Sequence, residues 1–156
     1  MTNLHFQKIP IDEKVNFKTH LLTYLQELGI TNTEYPYLDS YWIDKNRTPL
    51  YFFVGKRKIG FALINDCCLE QKTEPTYSIA EFYIFEKERR NQFGKKLAFQ
   101  VFDFFKGNWE VRTMKGNKKS ELFWGNVIAD YAPNFSEISN HPDWKGIIFC
   151  FKNKPI

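Results

Sequence analysis

Four basic side chains surround one glycine between a predicted strand and a predicted helix: Arg89, Arg90, Lys95 and Lys96 flank Gly94. The first backbone N–H groups of a helix have no partner within the helix, and together with the helix dipole they favour a bound anion. A glycine lets the backbone approach such a ligand closely. The stretch is therefore a candidate phosphate site, and a solvated run of charges is the alternative interpretation.

Neither of the two common nucleotide-binding loops is present at this position. The stretch lacks the upstream glycine and the Ser or Thr of a P-loop, and it lacks the G-x-G-x-x-G pattern of dinucleotide-binding domains. The charges indicate an anion site, but they do not identify the ligand.

The composition indicates one folded domain over residues 1–156, because the chain has 156 residues and is 43% hydrophobic with 16 Phe. The net charge of +4 is mild and acids are interleaved with bases, which argues against a nucleic-acid partner. No apolar run reaches the roughly 18 residues of a membrane span, and the first residues lack the apolar core of a signal peptide. The three cysteines and three histidines show no metal-ligand spacing, so we expect reduced thiols, no metal and a cytoplasmic protein.

Alternating hydrophobicity and helical spacing predict the elements that would position the basic loop. The predicted strands lie at 4–9, within a hairpin at 50–64, and at 76–86, 109–114, 135–139 and 146–153; the predicted helices span 13–28, the run after Gly94 to about 105, and 118–131, with a short helix around 37–45. This order predicts an α/β (α+β) fold, in which a mixed sheet of about six to seven strands carries helices on both faces. A crossover must follow Ile84, since a helix separates two strands there.

The loop and the order of elements together resemble the GNAT N-acetyltransferases. That family places the pattern Gln/Arg-x-x-Gly-x-Gly/Ala directly after its fourth strand, and here Arg89 fills the first position and Gly94 the last. Gln92 stands where the family usually has its first glycine. The resemblance covers nearly the whole chain, through AEFYIFEKERRNQFGKKLA and WEVRTMKGNKKSELFWGNVI, and YPYLDSYW and GKRKIGFALI resemble a bacterial subgroup of predicted acetyltransferases.

The resemblance implies that acetyl-CoA binds where the fourth and fifth strands splay apart. The pantetheine arm would bond to the fourth strand as an added strand does, and the pyrophosphate would lie on the loop amides. Asn117 matches a family residue that often meets the pantetheine, although a helix N-cap is an equally good interpretation. The implied cofactor-binding residues are Phe82, Tyr83, Ile84, Arg89, Arg90, Asn91, Gln92, Phe93, Gly94, Lys95, Asn117 and Trp124.

Acetyl transfer needs a base for the attacking ammonium and a proton for the leaving thiolate. Glu81 is the only acid in the β-rich run TYSIAEFYIF, so it is the candidate catalytic base, and a salt-bridged strand residue is the alternative. Many family members use a tyrosine as the acid, but Trp124 stands at that position and an indole N–H is not acidic enough. We expect Trp124 to pack under the cofactor. Tyr131 could replace the acid only with unusual geometry, and protonation of the thiolate by water or by the ammonium is the alternative.

The acceptor is expected to be a small amine or an antibiotic-like polyamine bound near EYPYLDSYW, where Asp39 and Tyr41 are the candidate substrate-binding residues. Ordinary loop packing is the alternative for this segment. Two other functions stay open: a catalytically weak acyl-CoA-binding sensor, and a protein lysine or N-terminal acetyltransferase. The sequence is compatible with a monomer or a homodimer.

Overall fold

The computed structural model describes residues 3–32 and 34–153, in which seven strands and three α-helices are arranged around one sheet. The elements are β1 (Leu4–Lys8), α1 (Lys14–Glu27), β2 (Thr48–Val54), β3 (Arg57–Asn65), β4 (Thr76–Ile84), α2 (Phe93–Phe104), β5 (Asn108–Thr113), α3 (Lys118–Tyr131), β6 (Ser136–Ile138) and β7 (Ile147–Lys152). The short helix expected around 37–45 is a 3₁₀ turn over Leu38–Trp42. Within the described ranges, no helix has the length and apolar character needed to cross a membrane.

The sheet has the strand order β1-β2-β3-β4-β5-β7-β6 and is antiparallel except at one pair. Strands β4 and β5 run parallel because α2 connects them as a crossover. The prediction of a mixed sheet with about six to seven strands is therefore confirmed.

Two apolar clusters cover opposite faces of the sheet. On one face α1 places Phe17, Leu21 and Leu25, which recur at helical spacing, and all three are buried. On the other face α2 and α3 bury their apolar sides against the sheet, including Leu97, Val101, Phe102, Trp124 and Ile128. The strands between them alternate: on β2, Phe52 faces the α2/α3 cluster and Tyr51 faces the α1 cluster. Helices on both faces were expected and are found.

A bulge interrupts the alternation of β4. In the pairing with β3, Leu63 lies opposite Glu81 and Ile64 lies opposite Ile79. Ala80 is therefore an extra residue on β4 that has no partner on β3. Such an extra residue changes the face to which the following side chains point. Beyond the bulge, Glu81 therefore faces α1, whereas Phe82 faces α3.

Strands β4 and β5 are paired over four residue pairs only. The pairing runs from Thr76 opposite Asn108 to Ile79 opposite Val111. From Ala80 to Ile84, β4 continues without a partner strand on the side where β5 lies. The two strands thus splay apart, as expected.

Candidate active site

The gap between the splayed strands opens into a cleft of about 210 Å³. Its walls come from β4, β5, the last part of α1, the start of α3, and one indole from the segment before β7. The lining residues are Tyr24, Leu28, Ile30, Ile79, Ala80, Glu81, Phe82, Val111, Arg112, Met114, Asn117, Ser120, Trp124 and Trp144. A concave site with a few converging polar groups is the usual form of a ligand-binding site.

Glu81 lies in this cleft, half-buried and held by two phenols. The hydroxyl of Tyr24 donates to its Oε1 at 3.2 Å, and the hydroxyl of Tyr35 donates to its Oε2 at 3.1 Å. Burial raises the pKa of Glu81 from 4.5 to about 7, and the hydrogen bonds from Tyr35 and Tyr24 oppose that rise. The partners of Glu81 are thus hydroxyl groups, and a carboxyl group that titrates near neutral pH can both accept and return a proton.

Neither Tyr24 nor Tyr35 is predicted from the sequence as a site residue. Tyr24 follows Leu21 by three residues on α1, so helical spacing could have placed it on the face that covers the sheet. Tyr35 lies in an irregular segment, where no periodicity signals its direction. Burial is the largest factor that raises the pKa of both hydroxyls above the usual value of 10, and both therefore remain hydrogen-bond donors at neutral pH.

The basic loop ends in an open helix N-terminus. Gln92 is the N-cap of α2, but its side chain makes no capping hydrogen bond. The first bond within the helix runs from the Lys96 N–H to the Gln92 carbonyl at 3.2 Å. Among the described residues, nothing accepts a hydrogen bond from the N–H groups of Phe93, Gly94 and Lys95. Three free amides at the positive end of a helix dipole are suited to bind an anion, so the anion site stays a prediction.

Gln92 adopts the left-handed conformation, with φ of 59°. Glycine populates this region without strain, whereas other residues pay roughly 1–2 kcal/mol. The backbone conformation at Gln92 is thus one that favours glycine, which agrees with the glycine of the resembled pattern at this position. The substitution preserves the turn and its N–H groups, at a cost in stability.

Two of the basic side chains already have protein partners. The Nε of Arg89 donates to the Ile84 carbonyl at 2.9 Å, and its two terminal nitrogens bond to both carboxylate oxygens of Glu27 at 2.9 and 2.8 Å. Lys95 forms an ion pair with Asp130 on α3. Arg89 thus ties the end of β4 to the end of α1, and the prediction that it binds the cofactor stays a prediction.

The remaining loop residues differ in exposure. Arg90, Asn91 and Lys96 are exposed to solvent. Gly94 is packed closely, because a Cβ there would lie 3.2 Å from the Phe123 ring. A side chain at this position would need the Phe123 ring to move by a few tenths of an ångström, so the contact with α3 favours glycine.

Asn117 and Trp124 both line the cleft from α3. The Oδ1 of Asn117 accepts a hydrogen bond from the Ser120 N–H at 3.1 Å, so the N-cap interpretation is confirmed. Trp124 is buried, and its ring lies edge-on to Phe82 at 5.0 Å. The hydroxyl of Tyr131 donates to Asp103 on α2 at 2.7 Å and does not line the cleft. Tyr131 as the acid is therefore wrong.

The structure does not bring Asp39 and Tyr41 to the cleft. Asp39 forms an exposed ion pair with Lys14, which lies about 15 Å along α1 from Tyr24. Tyr41 is buried in the core, where its hydroxyl accepts from Asn65 Nδ2 at 3.3 Å. Both residues lie outside the candidate site, because the packing of the sheet and of α1 holds them elsewhere.

No protein-family model and no curated protein matches the sequence, but solved structures match the fold. A GNAT-family acetyltransferase from Staphylococcus aureus Mu50 aligns at a TM-score of 0.71 with 13% identity, over 97% of this chain and 99% of that one. The PaiA N-acetyltransferase of Thermoplasma acidophilum, in complex with coenzyme A, aligns at 0.63 with 13% identity over 96% and 99%. The aminoglycoside acetyltransferase AAC(6')-Ib, also with coenzyme A, aligns at 0.71 with 12% identity over 96% and 95%.

These similarities extend over almost the full length of each chain. They therefore include the part of this chain that holds the splayed strands, the open helix N-terminus and the crossover. At 12–13% identity, the similarities show a shared fold and nothing more specific. This chain therefore has the fold of the GNAT acetyltransferases.

Proposed function

We propose that the protein transfers the acetyl group of acetyl-CoA directly to a primary amine. The observation that carries this proposal is the position of Glu81, a carboxyl group with a pKa of about 7 beside the gap between β4 and β5. The open N-terminus of α2 lies at the end of the same strand, after the connecting loop. A base and an anion site at one gap in the sheet are what acetyl transfer from a CoA thioester requires.

The residues at the gap fit coenzyme A. The free N–H groups of Phe93, Gly94 and Lys95 suit the pyrophosphate, and the open edge of β4 from Ala80 to Ile84 suits an added chain of amide groups. Two proteins of similar fold were crystallised with coenzyme A, which supports this assignment. Acetyl-CoA would supply an acyl group already activated as a thioester.

Glu81 would accept a proton from the acceptor ammonium, directly or through a water molecule. A free alkylammonium has a pKa of about 10, so a base is needed to hold the nitrogen neutral near the thioester. The amine lone pair then forms the N–C bond as the C–S bond breaks, and the thiolate takes up one proton. That proton would come from water or from the newly acylated nitrogen, which is cationic until it loses a proton, because the Trp124 indole is not acidic enough to supply it.

The first experiment is a thermal melt with acetyl-CoA, coenzyme A or ATP. A ligand at a hundred times its Kd adds about 2.7 kcal/mol, which corresponds to roughly 5–10 °C for a chain of this size. We expect this rise with both CoA compounds and little with ATP. Lys96→Glu at the start of α2 should reduce the rise, whereas Lys106→Glu, the same charge change beyond the other end of α2, should not.

The second experiment measures release of coenzyme A with and without added amine. We expect amine-dependent release that falls by about 10²–10⁴ in Glu81→Gln, the usual contribution of a general base. Binding without turnover over a broad amine panel would instead support an acyl-CoA-binding sensor. A gain of one acetyl group in the intact mass of a protein partner would support a protein acetyltransferase.

A further inference from the structure

We infer that the acceptor is a monoamine with an apolar, preferably aromatic, body and that a polyamine is disfavoured. This inference rests on the proposed function, because it assigns the acceptor half of the same cleft. It is carried by the chemistry of the wall that α1, β5 and the segment before β7 build around Glu81.

The acceptor side of the cleft is apolar. Leu28, Ile30, Met114 and Trp144 line it together with Tyr24. Ile30 is 37% exposed and Met114 is 44% exposed, although both are large hydrophobic side chains. Accessible apolar side chains with a few polar groups among them are typical of a site for a small, mostly apolar ligand.

The Trp144 ring is fixed in position. Its Nε1 donates to the Thr113 carbonyl at 2.9 Å, and the Arg112 guanidinium lies 5.3 Å from the ring centroid. Gly146 lets this segment approach β5, because a Cβ at that position would collide with the same Thr113 carbonyl. Trp144 is therefore a rigid flat surface against which an aromatic acceptor can pack.

The charges of the cleft suit one ammonium group only. Glu81 is the single acidic residue among those that line it. Arg112 is the single basic one, and it is paired with the buried carboxylate of Glu110. The turn that follows β5 adds the exposed cation Lys115, and the first turn of α3 adds Lys118, which is paired with Glu121, and Lys119. A second ammonium on the acceptor would meet no carboxylate in the cleft and would approach like charges, which costs affinity.

The inference is tested by calorimetric binding of 2-phenylethylamine and of spermidine to the protein saturated with coenzyme A, in which no transfer can occur. The heat of each amine with coenzyme A alone is subtracted, since a polycation also binds that anion. We expect 2-phenylethylamine to bind at least about tenfold more tightly than spermidine. Met114→Glu should weaken 2-phenylethylamine binding and strengthen spermidine binding.

Leu122→Glu is the matched control, because Leu122 is a 67% exposed residue of α3 that does not line the cleft. It should leave both affinities unchanged. Equal or tighter binding of spermidine, no binding of 2-phenylethylamine, or equal effects of the two glutamate variants would each overturn the inference.

The proposed function is judged separately. Selective binding of 2-phenylethylamine without coenzyme A release from acetyl-CoA would refute acetyl transfer and leave the acceptor class standing. Rapid acetylation of a polyamine would support acetyl transfer and refute the proposed acceptor class.

Discussion

Glu81→Gln should lower activity and raise stability above neutral pH. The pKa of Glu81 rises from 4.5 to about 7 in the folded protein, chiefly through burial. Each pKa unit corresponds to about 1.4 kcal/mol, so holding Glu81 ionised in the fold costs about 3 kcal/mol at high pH. Glutamine is uncharged and avoids that cost. Its amide nitrogen cannot accept the hydrogen bond from one of the two tyrosines, and the loss of that bond lowers the free energy of unfolding by about 1 kcal/mol. The net gain is about 2 kcal/mol.

The direction of this pH dependence of stability follows from the number of protons that the folded and unfolded proteins bind. Because the folded-state pKa is higher than the unfolded-state value, the folded protein binds more protons between pH 4.5 and about 7. The free energy of unfolding therefore falls as the pH rises through that window and levels off above it. The variant lacks this titration, so its advantage over the natural protein should be absent at pH 5 and complete at pH 8.

Thermal melts of both proteins at pH 5 and pH 8 measure the difference. A gain of about 2 kcal/mol corresponds to roughly 4–8 °C at pH 8. Glu137→Gln is the control, because Glu137 is an exposed strand residue on β6 and should show no such pH-dependent gain. A Glu81→Gln variant that is equally destabilised at both pH values would refute the reasoning that burial dominates the Glu81 site.

Three further predictions concern the surroundings of the cleft. Gln92→Gly should raise the free energy of unfolding by roughly 0.5–1 kcal/mol in denaturant melts and keep coenzyme A affinity, because φ is 59° there; loss of binding would show that the Gln92 side chain itself is needed. Arg89→Ala should weaken coenzyme A binding by calorimetry, because the link from Ile84 to Glu27 is lost; unchanged binding would show that this link does not hold the loop. Tyr131→Phe should leave kcat/KM and its pH profile unchanged, since its hydroxyl bonds to Asp103; a changed alkaline limb would contradict this.

Most of the fold could be predicted because its elements carry strong local patterns. The run KKSELFWGNVIADY predicts a helix over 118–131, which is the range of α3, and the β-rich runs on both sides of GKRK predict the β2–β3 hairpin. The open N-terminus of α2 was visible as charge and glycine after a strand. In these elements a local pattern and the tertiary packing favour the same structure, which makes sequence reasoning reliable.

The composition of the site was harder to predict, because it depends on contacts between distant segments. Asp39 and Tyr41 have suitable chemistry for binding an amine, but the 3₁₀ turn that carries them packs against the start of α1 and the core. Tyr35 comes from the same segment and reaches Glu81, 46 positions away in the chain. No periodicity distinguishes these three residues, since the segment is irregular.

The bulge at Ala80 connects the shape of the cleft with its chemistry. Ile79 faces the α2/α3 cluster and is the last residue of β4 that pairs with β5. Strict alternation would return Glu81 to the face of Ile79, where Trp124 and Phe102 leave an apolar core and no hydroxyl partner. The extra residue instead turns Glu81 toward Tyr24 and Tyr35 at the position where the parallel ladder ends. One irregularity thus coincides with the opening of the gap and gives the carboxylate its partners, which is why Glu81 can be both half-buried and chemically available.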